Sequence, residues 1–203
     1  MNLIPTRLLP ALVACTLLLA GCATDKAPAP TTFDFGPATP GAPAATPYGA
    51  VVVTDATGSA ALDNERMFYR LHYADPLQAR SYAQSRWSTT PLQLVTQRLK
   101  ARIAQSGAKV LGATDASAGV PILRTEIDDF THSFDSQTSS QGSVVLRASL
   151  FQGHKLIDQK TFSHKSAAAS ADAAGGARAL AAATDAVAAD IVAWLTTLPQ
   201  AKE

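Results

Sequence analysis

Few residues in this chain are suited to chemistry, and the first to weigh are carboxylates beside a histidine. Asp128-Asp129-Phe130-Thr131-His132 is the one segment that suggests a metal ion. Carboxylate oxygen and imidazole nitrogen both ligate zinc, and on an unbroken strand Asp128 and His132 share a face. No third ligand is identified, so a solvated hairpin edge is the expectation and no metal or other cofactor is assigned. His72, His154 and His164 are scattered along the chain. GxSxG, HExxH, Walker A, GxGxxG and CxxC are all absent. No catalytic residue is therefore assigned, and the chain is not expected to be an enzyme. The remaining reactive side chains are two thiols, Cys15 and Cys22.

Cys22 is the informative one. It closes Leu19-Ala20-Gly21-Cys22 after an early cation, Arg7, and an apolar stretch over 8–20 that is interrupted by Pro10 and Thr16. A cation followed by a short apolar run is a secretory signal, too short for a spanning helix. Leu-Ala-Gly-Cys resembles the bacterial lipobox, which implies cleavage between Gly21 and Cys22. The Cys22 thiol would then carry a diacylglycerol and its freed amine a further acyl chain such as palmitate. Three chains anchor firmly, because each buried CH₂ contributes about 0.8 kcal/mol and a single chain binds only marginally. Ala23 follows the cysteine where inner-membrane retention in enteric bacteria uses Asp. By that resemblance the expected location is the outer membrane, with the domain facing the periplasm.

Losing residues 1–21 from the 203 leaves 182, enough for one domain with a proper core. Arg7 leaves with them, so the 17 basic side chains become 16 against 16 acidic ones. That balance points to neither nucleic acid nor a polybasic lipid patch. Cys15 leaves with the signal and Cys22 is acylated, so no thiol pair remains for a disulfide.

The elements that position these residues follow from pattern. Residues 22–31 are the acylated N-terminus and a Pro/Ala tether, 32–198 the folded domain, 36–47 a Pro-rich loop within it, and 199–203 a tail. Alternation predicts strands at 32–35, 51–53 and 66–73. Thr90, Pro91 and Gln93 form a capping box that starts a helix, with Leu92, Val95, Leu99 and Ile103 on one stripe and Gly107 as the left-handed stop. Arg98, Lys100 and Arg102 lie off the stripe and are expected on its wet face. Strands over 120–134, 144–151 and 156–163 form a meander, with a bulge or strand end at Asp128-Asp129. A last helix spans roughly 170–198, its start weakened by Gly175-Gly176 and its stripe carried by Leu180, Val187, Ile191, Trp194 and Leu195. The expected fold is an α/β (α+β) two-layer sandwich, a largely antiparallel sheet packed against two main helices. Tyr69, Tyr73, Tyr82 and Trp87 admit two readings: core packing under the first helix, which is favoured, or a partner or lipid surface.

In order and spacing, several segments resemble the ABC-type transport auxiliary lipoprotein family. They are Phe33-Asp34-Phe35-Gly36-Pro37, Phe68-Tyr69-Arg70-Leu71, Tyr82-Ala83-Gln84-Ser85-Arg86-Trp87, the Pro91 helix, the strand from Leu123 to Phe130, the hairpin through Phe162 and the final helix ending Ala193-Trp194-Leu195. The family includes lipoproteins of paraquat-inducible-type operons, which accompany MCE proteins and ABC permeases that move lipids across the periplasm. The resemblance implies a non-catalytic, outer-membrane-anchored docking component of such a lipid transport system. Its implied partners are an MCE-family protein and an ABC permease complex, with a homo-oligomer left open. The alternative is a structural lipoprotein that assists outer-membrane assembly or envelope integrity. The segments 55–65 and 136–140 look particular to this chain.

Overall fold

The computed structural model describes residues 29–38, 48–115 and 118–199. The signal segment 1–21, Cys22 with most of the tether, most of the 36–47 loop and residues 200–203 lie outside the described residues. The element order is β1 (Thr31–Phe33), β2 (Ala50–Val53), β3 (Thr57–Gly58), a 3-10 turn (Ala60–Leu62), β4 (Arg66–Leu71), β5 (Asp75–Trp87), α1 (Pro91–Gln105), β6 (Lys109–Leu111), β7 (Ile122–Phe134), β8 (Ser140–Gln152), β9 (Lys155–Ala167) and α2 (Ala173–Thr196).

The α+β class holds, but the sheet is mixed and not largely antiparallel. Its antiparallel neighbours are the chain's hairpins, β4–β5, β7–β8 and β8–β9. Its parallel neighbours, β1–β5, β2–β6, β2–β7, β3–β7 and β4–β7, are joined through long connections. A short turn forces antiparallel pairing, whereas a long connection leaves the direction free. Only the first kind of contact is written into local sequence.

Strand β7 organises the rest. β8 pairs along one of its edges from Ile122 to Phe134. The other edge is shared by β2 at Ile122 and Leu123, β3 at Glu126 and Ile127, and β4 from His132 to Phe134. The expected bulge is present: the β7–β8 register shifts between Ile127 and Asp129. Before it, Leu123, Thr125 and Ile127 are buried, while Arg124, Glu126 and Asp128 are exposed. After it, the even-numbered Phe130, His132 and Phe134 pair with Val144, Gly142 and Ser140. The extra residue thus hands the helix-facing side from odd to even positions.

The two helices cover that side and share one apolar core with it. Thr90 caps α1 by accepting the Gln93 N–H at 3.3 Å. The reciprocal arm of the capping box is not made, because the Gln93 side chain turns to the Thr89 hydroxyl. Gly107 ends the helix region at φ 97°, as the stop signal required. Asp172 caps α2 through the Gly175 N–H at 2.7 Å. By length and composition α2 could cross a bilayer, but half of its most apolar stretch is buried inside the fold. It is a core helix, with Leu180, Val187, Ile191 and Leu195 all buried. It also lies unusually close to the sheet. A Cβ on Gly142 would stand 2.6 Å from the Leu180 nitrogen, and one on Gly176 would stand 2.3 Å from His132 Nδ1. The glycines that weaken the helix by propensity are what allow it to seat. Near its other end, Trp194 is buried edge-on to Phe162 and donates its indole N–H to Asp158 at 2.8 Å.

Two substitutions test this packing by urea unfolding. Gly142→Ala pushes on helix backbone, which cannot yield locally, and should cost about 1–3 kcal/mol. Trp194→Ala removes a buried ring and should cost about 3–5 kcal/mol. An unchanged midpoint for either variant contradicts the packing described.

Candidate functional site

The titratable groups with the most altered environment meet under the N-terminal turns of α2. His132 is fully buried on β7. Its ring lies against Phe134 (4.5 Å between centroids) and stacks beside Tyr82 (6.2 Å), while Tyr82 lies 4.6 Å from Tyr69. His132 Nδ1 and the Tyr82 hydroxyl share a 2.9 Å hydrogen bond. His132 Nε2 is buried without a hydrogen-bond partner among the described residues. An imidazolium would place an N–H there with no acceptor, so the neutral ring is strongly preferred. Burial pushes the His132 pKa down to about 4, against a smaller opposing pull from Asp172. Burial, then the neighbouring Tyr69 and Asp172, pushes the Tyr82 phenol up. Asp172 is held below the usual carboxylate range, first by the Gly175 N–H and then by the Ser170 hydroxyl. The pair is neutral and hydrogen-bonded, with His132 fully buried and Tyr82 half-buried in the wall of a cleft.

The Asp128/His132 pairing suggested by spacing is not made. The bulge at Asp128 breaks the period of two, so the carboxylate points out while the imidazole points under the helix. Asp128 lies 3.6 Å from Arg147, which also meets Glu126 at 2.5 Å. Asp129 accepts from the Thr131 hydroxyl at 2.6 Å. Among the described residues no three His, Cys, Asp or Glu side chains gather as a metal site.

The four candidate aromatics do not form one surface. Trp87 is 1% exposed and packs with Phe35 and Phe130. Tyr69 and Tyr82 are half-buried in the ring cluster. Tyr73 alone stands out, at the β4–β5 turn.

Arg98 is a second correction. It is 5% exposed, not on a wet face. Its guanidinium donates to the Phe35 and Gly36 carbonyls and lies 3.4 Å from Asp185 on α2. Arg102 reaches the same carboxylate at 2.6 Å, and that hydrogen bond raises its pKa. Lys100 does stay near the surface, paired with Asp55 at 3.2 Å. One carboxylate therefore ties both helices and the segment after β1 together beside a cleft of 290 Å³ that Arg98 lines. Sequence reasoning missed Asp185 because its partners lie some eighty residues earlier. It missed Asp172, although an Asp just before an Ala-rich run is an N-cap signal.

Comparison with known proteins fits this geometry. The family model described as "ABC-type transport auxiliary lipoprotein component" matches residues 33–192. Among curated proteins no match is found. Protein XCC0632 from Xanthomonas campestris has a similar structure: TM-score 0.69 at 19% identity, covering 83% of this chain and 95% of that one. An uncharacterized protein of solved structure aligns at TM-score 0.67 and 13% identity, over 83% of this chain and 99% of that one. At such identities these two structures establish the fold alone.

The buried histidine makes stability depend on pH. Its folded pKa lies below the unfolded value near 6.5, so the unfolded chain binds more protons between about 6.5 and 4. Its contribution is complete above that window and declines as pH falls through it, by on the order of 3 kcal/mol in all. Urea midpoints should therefore drop from pH 7 to pH 5, and His132→Gln should flatten that slope even if it lowers the plateau. Asp185→Ala leaves a buried guanidinium without its carboxylate and should cost about 3 kcal/mol, the lower end for a broken buried pair. A neutral effect of that substitution contradicts the ion-pair arrangement.

Proposed function

The chain belongs to the ABC-type transport auxiliary lipoprotein family, and on that premise we propose that it is a non-catalytic docking component of an MCE-type lipid transport system. In this reading Cys22 is acylated and anchors the chain in the outer membrane, and the domain faces the periplasm. The domain meets an MCE-family protein and its ABC permease complex. The observation that carries the proposal is the family match over residues 33–192, nearly the whole folded domain. The site geometry supports it. His132 lies fully buried beneath α2, held neutral and bonded to the half-buried Tyr82. The ion pairs around Asp185 tie the two helices together. Such a domain acts through its surface, and its near-neutral charge favours shape and apolar contact over long-range steering.

Affinity purification from detergent-solubilised membranes, with the anchor intact, tests the partner assignment. Recovery of an MCE protein and permease supports it; recovery of a β-barrel assembly protein or peptidoglycan in their place favours the structural alternative. Cys22→Ser should leave an unprocessed precursor, read by mass spectrometry, and a mature form starting elsewhere contradicts the anchor. Asp128→Ala and Asp129→Ala should each complement a deletion strain's detergent sensitivity almost fully. Loss of complementation by a folded, correctly localised variant would argue for chemistry at that site.

A further inference from the structure

Three large apolar side chains stand exposed among the described residues, and two of them share one hairpin tip. Leu77 is 87% exposed and Tyr73 47%, both at the β4–β5 turn; the third, Leu156, is 45% exposed on β9. The tip is braced. The Arg70 guanidinium donates to the Pro76 carbonyl at 3.2 Å and to the Leu77 carbonyl at 3.0 Å. The Leu77 N–H donates to Asp75 Oδ1 at 2.9 Å, and the Ala74 N–H to the Leu71 carbonyl at 3.0 Å. An aliphatic side chain held in water by a fixed turn gains nothing within its own fold. It is presented to something else.

Chain direction says what lies nearby. β1 runs parallel to β5, with Thr31 beside Ser85 and Phe33 beside Trp87. β5 runs from the tip toward Trp87. The polypeptide therefore enters β1 from the side of the tip. Nine peptide steps separate Cys22 from Thr31, and they span at most about 30 Å. β5 pairs with β4 from Arg86 opposite Arg66 to Asp75 opposite Leu71, its extra residues taken up in two register shifts, so the hairpin from there to the tip spans five steps of β4, about 17 Å at roughly 3.3 Å each. Acyl chains on Cys22 place a bilayer within about 30 Å of Thr31, and the tip stands about 17 Å out on the side from which the chain comes, inside that reach. The turn of the β7–β8 hairpin lies alongside: the His72 N–H donates to the Phe134 carbonyl at 2.9 Å. That neighbouring turn carries Ser136, Gln137, Thr138 and Ser139, polar groups suited to headgroups.

We propose that the β4–β5 tip rests in the surface of the bilayer that holds the Cys22 acyl chains, with Leu77 among the upper acyl groups and Tyr73 at headgroup level. Tyrosine favours that boundary because its ring is apolar and its hydroxyl polar. Arg70 and Arg80 are offset by Asp75 and Asp135, so the contact depends on insertion and not on attraction to anionic lipid. The anchor and the tip would then fix the domain at two points and set which face it turns to the periplasm. This inference rests on the lipid-anchor reading of Cys22.

The test uses the full chain purified with its acyl groups. A single thiol from Leu77→Cys, labelled with nitrobenzoxadiazole, is compared with one from Leu156→Cys, both in protein-free phosphatidylethanolamine/phosphatidylglycerol vesicles that carry nitroxide lipids. Both positions are exposed, so neither substitution should disturb the fold. The label at 77 should be blue-shifted and quenched several-fold more than the label at 156, with little change in high salt. Equal, weak quenching overturns the proposal. Shielding of the 77 label in native membranes but not in vesicles also overturns it and assigns the tip to a protein. Mass spectrometry of the same sample keeps the two readings apart. An acylated Cys22 with an unquenched 77 label removes the tip contact alone, whereas an unacylated N-terminus removes the anchor and this inference together.

Discussion

The fold depends on pairing both edges of β7. Thirteen consecutive residues lie in the middle of the sheet, and each buried N–H or C=O left unpaired would cost about 1–3 kcal/mol. β8 supplies one complete edge through a tight hairpin. The other edge is assembled from β2, β3 and β4, three short segments that lie fifty or more residues earlier and arrive parallel. That requirement draws residues 50–71 into the sheet and carries β5 and β1 along at its margin. The bulge at Asp128 follows from the same constraint. It lets one strand serve two stretches of core whose helix-facing positions differ in parity.

The helix-facing side sets the environment of the chemically suggestive residues. α2 approaches β7 and β8 so closely that Gly142 and Gly176 admit no side chain, and His132 is sealed against the helix backbone. Burial keeps its imidazole neutral, with Tyr82 as its companion. On the α1 side, Asp185 collects Arg98 and Arg102, so charge is spent on joining the helices and on holding the carbonyls after β1. In the proposed reading, function falls to the outer surface of the domain, its sheet edges and hairpin ends. This distribution agrees with a family of transport auxiliary lipoproteins, whose proposed work is contact between an anchored domain and a partner assembly.

Features governed by near neighbours were legible in the sequence. The Thr90 cap, the Gly107 stop, the Asp128 bulge and the Val144-to-Leu150 alternation each need only a few adjacent residues. The lipoprotein family could also be read, from the order of Phe33, Tyr69, Trp87, Pro91 and Trp194 along the chain. Features decided across long separations were not legible. Parallel pairing of β2, β3 and β4 with β7 has no local signature. Arg98 looks solvent-facing by helical spacing, until Asp185 and the Phe35 carbonyl are brought to it. Gly175-Gly176 looks like a poor helix start, until the His132 ring is seen beneath it. β5 was missed because its exposed Leu77, Gln78 and Ala79 lack the alternation that a half-buried strand shows.

The central claim is that this domain serves lipid movement by being held at a membrane and touching a partner, without converting any substrate. Pulse-labelled phospholipid, followed into separated inner and outer membranes, tests it most directly. Deletion of the protein should change the distribution of label between the two membranes; the acylated chain should restore it, and the same domain secreted without its Cys22 anchor should not. Full restoration by the unanchored domain, or an unchanged distribution in the deletion strain, would contradict the account.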